Sequence, residues 1–227
     1  MAGKVGGKIV TNGLVLCLDA ANRNSYVSGS GVWRDLSGNN RHGTLTNGPT
    51  FVNSNGGYFS FDGTDDYVSS PSLSLPANSG FTMCLFLKQI NPQPSGGWNF
   101  FYSQGGSFEI GTYGQTGTSF TFKDVNIPVY PFEIYSDNVV NSWSYVAYGL
   151  YPTTRYPFIH TYNSAGYAYS TLAKSYTNTN MNFTSLFGTV GNSRYRAYGA
   201  IVQVYNRDLT SAEVLQNFNA NRKRFGL

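Results

Sequence analysis

Phe81-Thr82-Met83-Cys84-Leu85-Phe86-Leu87-Lys88 reads as a β-strand with apolar side chains on both of its faces. Side chains alternate across a strand, so Phe81, Met83, Leu85 and Leu87 share one face while Cys84 and Phe86 share the other. Such a strand needs cover on two sides: an opposing sheet on one, and a loop or a partner chain on the other.

Outward from this strand the same grammar repeats in both directions. Asn12-Gly13, Ser37-Gly38-Asn39-Asn40, Asn47-Gly48-Pro49, Asn55-Gly56-Gly57, Ser95-Gly96-Gly97 and Gly105-Gly106 are turn signals. Between and beyond them lie short β-rich runs: Leu14–Leu18, Tyr58–Phe61, Phe100–Ser103, Phe120–Phe122, Trp143–Tyr148, Phe158–Tyr162 and Ala200–Tyr205. Short strands at regular spacing predict an all-β sandwich. One helix breaks the pattern. Thr210-Ser211-Ala212-Glu213 is a capping box, and Val214, Leu215 and Phe218 follow at helical spacing. Arg222-Lys223-Arg224 sits where the helix dipole favours cations, and the helix is expected on the edge of the sandwich.

The 227 residues fit one large β-domain, residues 1–227, with residues 1–12 as a flexible N-terminal arm. Only 11% of them are charged, against about 25% in an average soluble protein. The surface is therefore covered by Asn, Ser, Thr, Gly and Tyr, which suits neutral polar ligands and contacts between subunits. A hydrophobic share of 41% argues against disorder. The net charge of +4 is modest, and Arg194-Tyr195-Arg196 is too short a basic-aromatic cluster to support nucleic-acid binding. The segment Met1–Gly13 lacks the apolar stretch of a secretory signal, and no run is long enough to span a membrane. Synthesis in a reducing cytoplasm is expected. Cys17 and Cys84 each sit in an apolar run and read as small buried hydrophobes, although a bridge between them depends on strand order.

Three segments carry a resemblance: Gly13–Phe51 (GLVLCLDAANRNSY…GVWRDLSGNNRHGTLTNGPTF), Phe59–Pro71 (FSFDGTDDYVSSP) with the strand after it, and Ala197–Leu227 (AYGAIVQVYNRDLTSAEVLQNFNANRKRFGL). Together they resemble the laminin-G-like branch of the concanavalin A-like lectin/glucanase superfamily. The first and third resemble domains of bacteriophage structural proteins found on tails, fibres or capsid surfaces. The resemblance implies a two-sheet antiparallel jelly-roll sandwich with one short C-terminal helix. It implies no particular ligand, since a fold does not carry a function. The stretch from about Trp98 to Phe183 departs from the family and is where specificity would reside.

The chemistry-bearing residues are sparse. The glucanase branch places two carboxylates on one strand as E-x-D-x-x-E, about 5–5.5 Å apart for retaining hydrolysis. The glutamates here are Glu109, Glu133 and Glu213, and none stands in that pattern. Glu109 and Glu133 could still meet in space, which keeps a glycoside hydrolase as the weaker alternative. His42 and His160 lack metal-ligand spacing, and no Cys/His cluster offers a zinc site. Asp62-Gly63-Thr64-Asp65-Asp66 has the oxygens for calcium, yet reads better as a hairpin turn in which Asp and Gly serve the backbone. Trp98, Tyr113, Tyr151, Tyr156 and Tyr195 stand at turn-flanked or proline-adjacent positions and are the candidates for stacking on a sugar ring.

The expectation is a non-enzymatic virion structural protein with a lectin-like fold and no cofactor, assembled in the host cytoplasm and displayed on the particle surface. Its expected partners are other virion proteins, further copies of itself and host surface glycans. The alternative is a stand-alone carbohydrate-binding lectin module.

Overall fold

A computed structural model describes residues 7–76, 79–93, 98–104, 108–113, 119–123, 136–137, 140–171, 173, 181–188 and 195–227. Among these residues sixteen strands precede one α-helix. They are β1 (Leu14–Asp19), β2 (Val32–Trp33), β3 (Gly43–Thr46), β4 (Thr50–Val52), β5 (Tyr58–Asp62), β6 (Tyr67–Leu75), β7 (Phe81–Gln89) and β8 (Trp98–Gln104). After them come β9 (Phe108–Tyr113), β10 (Ser119–Lys123), β11 (Ser136–Asp137), β12 (Trp143–Leu150), β13 (Pro157–Asn163), β14 (Gly166–Thr171), β15 (Met181–Leu186) and β16 (Arg196–Tyr205). Helix α1 (Ser211–Asn221) and a 3₁₀ turn (Arg222–Phe225) close the chain.

The larger sheet has eight strands in the order β14-β13-β12-β7-β16-β5-β4, with β1 also on β16. The opposing layer is built from β15-β6-β3-β2 and β11-β10-β9-β8. Every pairing is antiparallel, which makes this the expected two-layer all-β sandwich. One buried cluster joins the layers: Phe81, Met83, Leu85, Leu87, Val146 and Val202 from the large sheet meet Trp33, Val68, Leu73 and Phe183 from β2, β6 and β15, with Ile110 and Phe120 from β9 and β10.

β7 lies between β12 and β16 and is buried on both faces, as its sequence requires. Its outward residues Cys84 and Phe86 join a second buried cluster with Tyr145, Tyr205, Leu209, Val214, Phe218 and Phe225. The cover on that side is the protein's own C-terminal helix. Helix α1 lies across the outer face of the sheet rather than on its edge, because that is where Phe86 and Tyr145 need apolar cover. The capping box forms as the sequence indicates: Glu213 N donates to Thr210 Oγ1 (3.3 Å), and Thr210 N donates to Glu213 Oε2 (2.9 Å). Arg207 grips the same carboxylate through both terminal nitrogens (2.9 and 2.6 Å), and its guanidinium holds Glu213 down at about 2.

One sequence expectation changes here, and one question left open by the sequence is settled. Residues 7–12 are not a free arm: Val10 is buried, Val10 N donates to Asn217 Oδ1 (2.8 Å) and its carbonyl accepts from Tyr205 Oη (3.0 Å). Isoleucine and valine in this segment give it apolar surface to bury against the helix. The two cysteines oppose the same residue, Gln203, from opposite sides. A whole strand separates them, about 10 Å across at the usual strand spacing, which is beyond disulfide reach. Both are buried free thiols.

Candidate functional site

Among the described residues, the last hairpin of the large sheet carries the most exposed aromatic side chains. Tyr167 is 53% and Tyr169 is 44% exposed, against near-total burial of most other described aromatics. The hairpin turns at Asn163–Gly166, where Ala165 N donates to Asn163 Oδ1 (2.9 Å) and Gly166 takes φ +117°, a value open to glycine. This turn sets the register Tyr162↔Tyr167 and His160↔Tyr169. Ile159 points into the inter-sheet core, so Phe158, His160 and Tyr162 point outward, and Tyr167 and Tyr169 point outward with them.

The result is a tiled strip of rings. Tyr167 lies on Tyr162 (centroids 4.7 Å apart) and Tyr169 lies on His160 (4.7 Å). Tyr162 stacks in turn on Phe218 of α1 (4.4 Å, 18° between planes), and Tyr151 packs on Phe158 (4.9 Å). Gly149 makes room for this arrangement, since a Cβ there would overlap the Phe158 ring. The hydroxyl tips are tied as well: Tyr167 Oη bonds His160 Nδ1 (3.0 Å) and Tyr151 Oη bonds Tyr169 Oη (3.1 Å). Burial pushes His160 down to about 4 and Tyr162 up to about 12, and it raises Tyr151 and Tyr167 also. At neutral pH the imidazole is therefore uncharged and these hydroxyls keep their protons.

The acidic turn joins β5 to β6. The carboxylates of Asp62, Asp65 and Asp66 lie within 4.8 Å of one another. Two of them already serve the backbone: Asp62 Oδ1 accepts from Thr64 N (2.6 Å) and Asp65 N (3.4 Å), and Asp66 Oδ2 accepts from Asp62 N (3.0 Å). Gly63 bends at φ +77°. Burial works against the Asp62 carboxylate, but these backbone donors outweigh it and lower its pKa; Asp66, more deeply buried and beside two other acids, is raised. Binding through one oxygen each, three carboxylates supply half or less of the six to eight oxygens calcium takes. The geometry is that of an Asx turn.

The sequence profile of the concanavalin A-like lectin/glucanases superfamily matches residues 62–215. The chain belongs to that superfamily. No curated protein sequence matches it. Among solved structures, the sandwich is similar to the botulinum neurotoxin type G receptor binding domain (10% identity, TM-score 0.59, covering 91% of this chain and 51% of that one). It is similar also to the binding domain of Paraclostridial mosquitocidal protein 1 (15%, 0.60, 92% and 52%). The third is Trypanosoma rangeli sialidase in complex with the inhibitor DANA (15%, 0.60, 96% and 34%). The chain thus spans about half of each binding domain and about a third of the sialidase. At these identities the likeness is one of fold.

On this lectin-like sandwich the sequence-derived sugar contacts separate. Tyr151 belongs to the hairpin strip, and Tyr156 is half-buried in the loop beside it, where its carbonyl accepts from Tyr151 N (3.1 Å). Tyr195 cannot touch a sugar: it is fully buried at the start of β16, its hydroxyl 3.4 Å from Gln89 Oε1, because the register of β16 turns it into the inter-sheet core. Trp98 and Tyr113 pair across β8 and β9, and their side chains lie outside the described residues, as do the side chain of Glu109 and all of Glu133. His42 Nδ1 accepts from Asp35 N (3.1 Å), so the two histidines serve separate places.

The sequence did not single out Tyr162, Tyr167 or Tyr169, and His160 stood out only as a candidate metal ligand. A signal was present in Asn163-Ser164-Ala165-Gly166 followed by Tyr-Ala-Tyr: a turn, then aromatics on one face only. At the other end of the large sheet a cleft of about 610 Å³ is lined by Arg23, Tyr26, Val27, Phe51 and Asn53 among others.

Proposed function

We propose that this protein is a non-enzymatic structural protein of a bacteriophage particle, displayed on the virion surface, where it contacts host surface glycans through the β13–β14 tyrosines. The observation that carries the glycan contact is the exposed pair Tyr167 and Tyr169, held at ring and hydroxyl on an edge hairpin of a lectin-like sandwich. A phenol ring offers a flat apolar face to the C–H side of a sugar and a polar tip to its hydroxyls. The non-enzymatic reading draws on the hairpin's composition, since glycoside hydrolysis generally uses a carboxylate pair and Pro157–Thr171 contains no Asp or Glu. The virion assignment draws on the resemblance of Gly13–Phe51 and Ala197–Leu227 to phage structural domains. The charge-poor surface suits packing beside further copies.

Two measurements test the proposal. Mass spectrometry of purified particles should find the chain in stoichiometric amount, with antibody labelling at the particle surface. Its absence from particles, alongside retained glycan binding, would leave a stand-alone lectin. Prolonged incubation with host polysaccharide should release no reducing ends; turnover lost on Glu109→Gln or Glu133→Gln would replace the proposal with a hydrolase.

A further inference from the structure

We infer that the tyrosine strip binds an uncharged, linear polysaccharide, laid along β14 with consecutive sugar rings on Tyr169 and Tyr167. This rests on the glycan-recognition role proposed above and adds the class of ligand.

Shape gives the first argument. Tyr167 and Tyr169 stand two residues apart on one face of an extended strand, about 7 Å apart along the chain direction. Both are open to solvent, and among the described residues none is shown walling the strip as the cleft at the opposite end of the sheet is walled. A row of open rings favours a chain that lies along it, whereas a single sugar covers one ring and leaves the other unused.

Charge gives the second. Pro157–Thr171 contains no Asp, Glu, Lys or Arg. Arg155, just before it, is buried and donates through Nη1 to the carbonyl of Ser79 (3.0 Å). Among the described side chains, charges of opposite sign stand at the two ends: Arg222 lies over the Phe218 ring (5.7 Å), and Asp208 is close enough to Tyr151 to help keep its hydroxyl protonated. Burial keeps the His160 imidazole neutral. An acidic polymer on this strip would give up hydration with no row of cations among the described residues to replace it. A neutral chain meets rings and hydroxyls.

Preorganisation gives the third. Each exposed ring is backed by another at 4.7 Å, and each hydroxyl already has a partner in the hairpin or its flanking loop. Little rotamer freedom remains to be lost on binding. Each tied hydroxyl retains acceptor capacity for a sugar hydroxyl.

Isothermal titration with maltohexaose, cellohexaose, laminarihexaose, glucose, and hyaluronan and polygalacturonate hexasaccharides separates the possibilities. The wild-type chain should bind at least one neutral hexasaccharide and bind glucose at least ten-fold more weakly. Tyr167→Ala and Tyr169→Ala should each weaken that binding about ten-fold, the scale of one lost aromatic contact in an interface. Tyr167→Phe should retain most of it, and Val27→Asp in the cleft should leave it unchanged. Both tyrosines are exposed, so unfolding temperatures within a few degrees of wild type show that the variants fold. Binding of acidic hexasaccharides alone, lost in the tyrosine variants, would overturn the ligand class and leave the recognition role standing. Binding lost in Val27→Asp and kept in Tyr167→Ala would overturn the site. No glycan binding of either class overturns both the inference and the role; a dimer that Tyr167→Ala dissolves would then make the strip a contact between copies.

Discussion

His160 gives the hairpin an acid sensitivity that can be worked out from its surroundings. The imidazole is 2% exposed, ringed by Phe158, Tyr167 and Tyr169, and burial lowers its pKa to about 4 from 6.5. The folded state thus prefers the neutral ring. Its contribution to stability is fully present above pH 6.5, falls as the pH drops from there toward 4, and levels off below. The whole shift corresponds to about 3 kcal/mol at about 1.4 kcal/mol per pKa unit, of which about 2 kcal/mol lies between pH 7.5 and 4.5. For a domain of this size that lowers the unfolding temperature by about 4–8 °C. Carboxylates elsewhere also titrate toward the acid end, so the assay is a difference: calorimetric unfolding temperatures of wild type and His160→Gln across that range. The wild-type curve should fall more steeply by the stated amount. Parallel curves would mean that His160 is already hydrated or protonated in the fold, and the neutral strip would lose its support.

Three further perturbations have defined outcomes. Phe218→Ala removes the ring that joins α1 to Tyr162, Tyr145 and Phe86, and should destabilise by about 3 kcal/mol in denaturant titration; a loss below about 1 kcal/mol would mean the helix is not docked there. Thr210→Ala deletes the cap that accepts from Glu213 N and should cost about 1 kcal/mol, or roughly 2–4 °C; an unchanged unfolding temperature would deny the box a role. Millimolar calcium should leave the unfolding temperature unchanged, because Asp62 and Asp66 are engaged by backbone N–H groups; a rise of several degrees that Asp65→Asn abolishes would make the turn a metal site.

The parts of this protein legible in its sequence are those fixed by local chemistry. The two-faced apolar pattern of Phe81–Lys88 required a central strand, and the strand is central. Thr210-Ser211-Ala212-Glu213 required a helix start, and Asp62–Asp66 a turn, and both form. What the sequence hid depends on which strands become neighbours. Tyr195 and Tyr151 look alike as turn-adjacent tyrosines, yet β16 runs through the middle of the large sheet and buries the one, while Tyr151 follows β12 near the sheet's end and stays half open. Tyr167 and Tyr169 become a surface because β14 is the last strand in the order. The cover over Phe86 is legible as a need, but its source in α1, at Phe218, is not.

The most direct test of the tyrosine strip as the recognition surface is an amide chemical-shift map recorded while a neutral hexasaccharide is titrated into the labelled protein. The account expects the largest shifts at Tyr167, Tyr169 and their neighbours in β13 and β14, with Val27, Phe51 and the Asp62–Asp66 turn unmoved. Saturable shifts centred on the cleft or the acidic turn, with the hairpin silent, would contradict it.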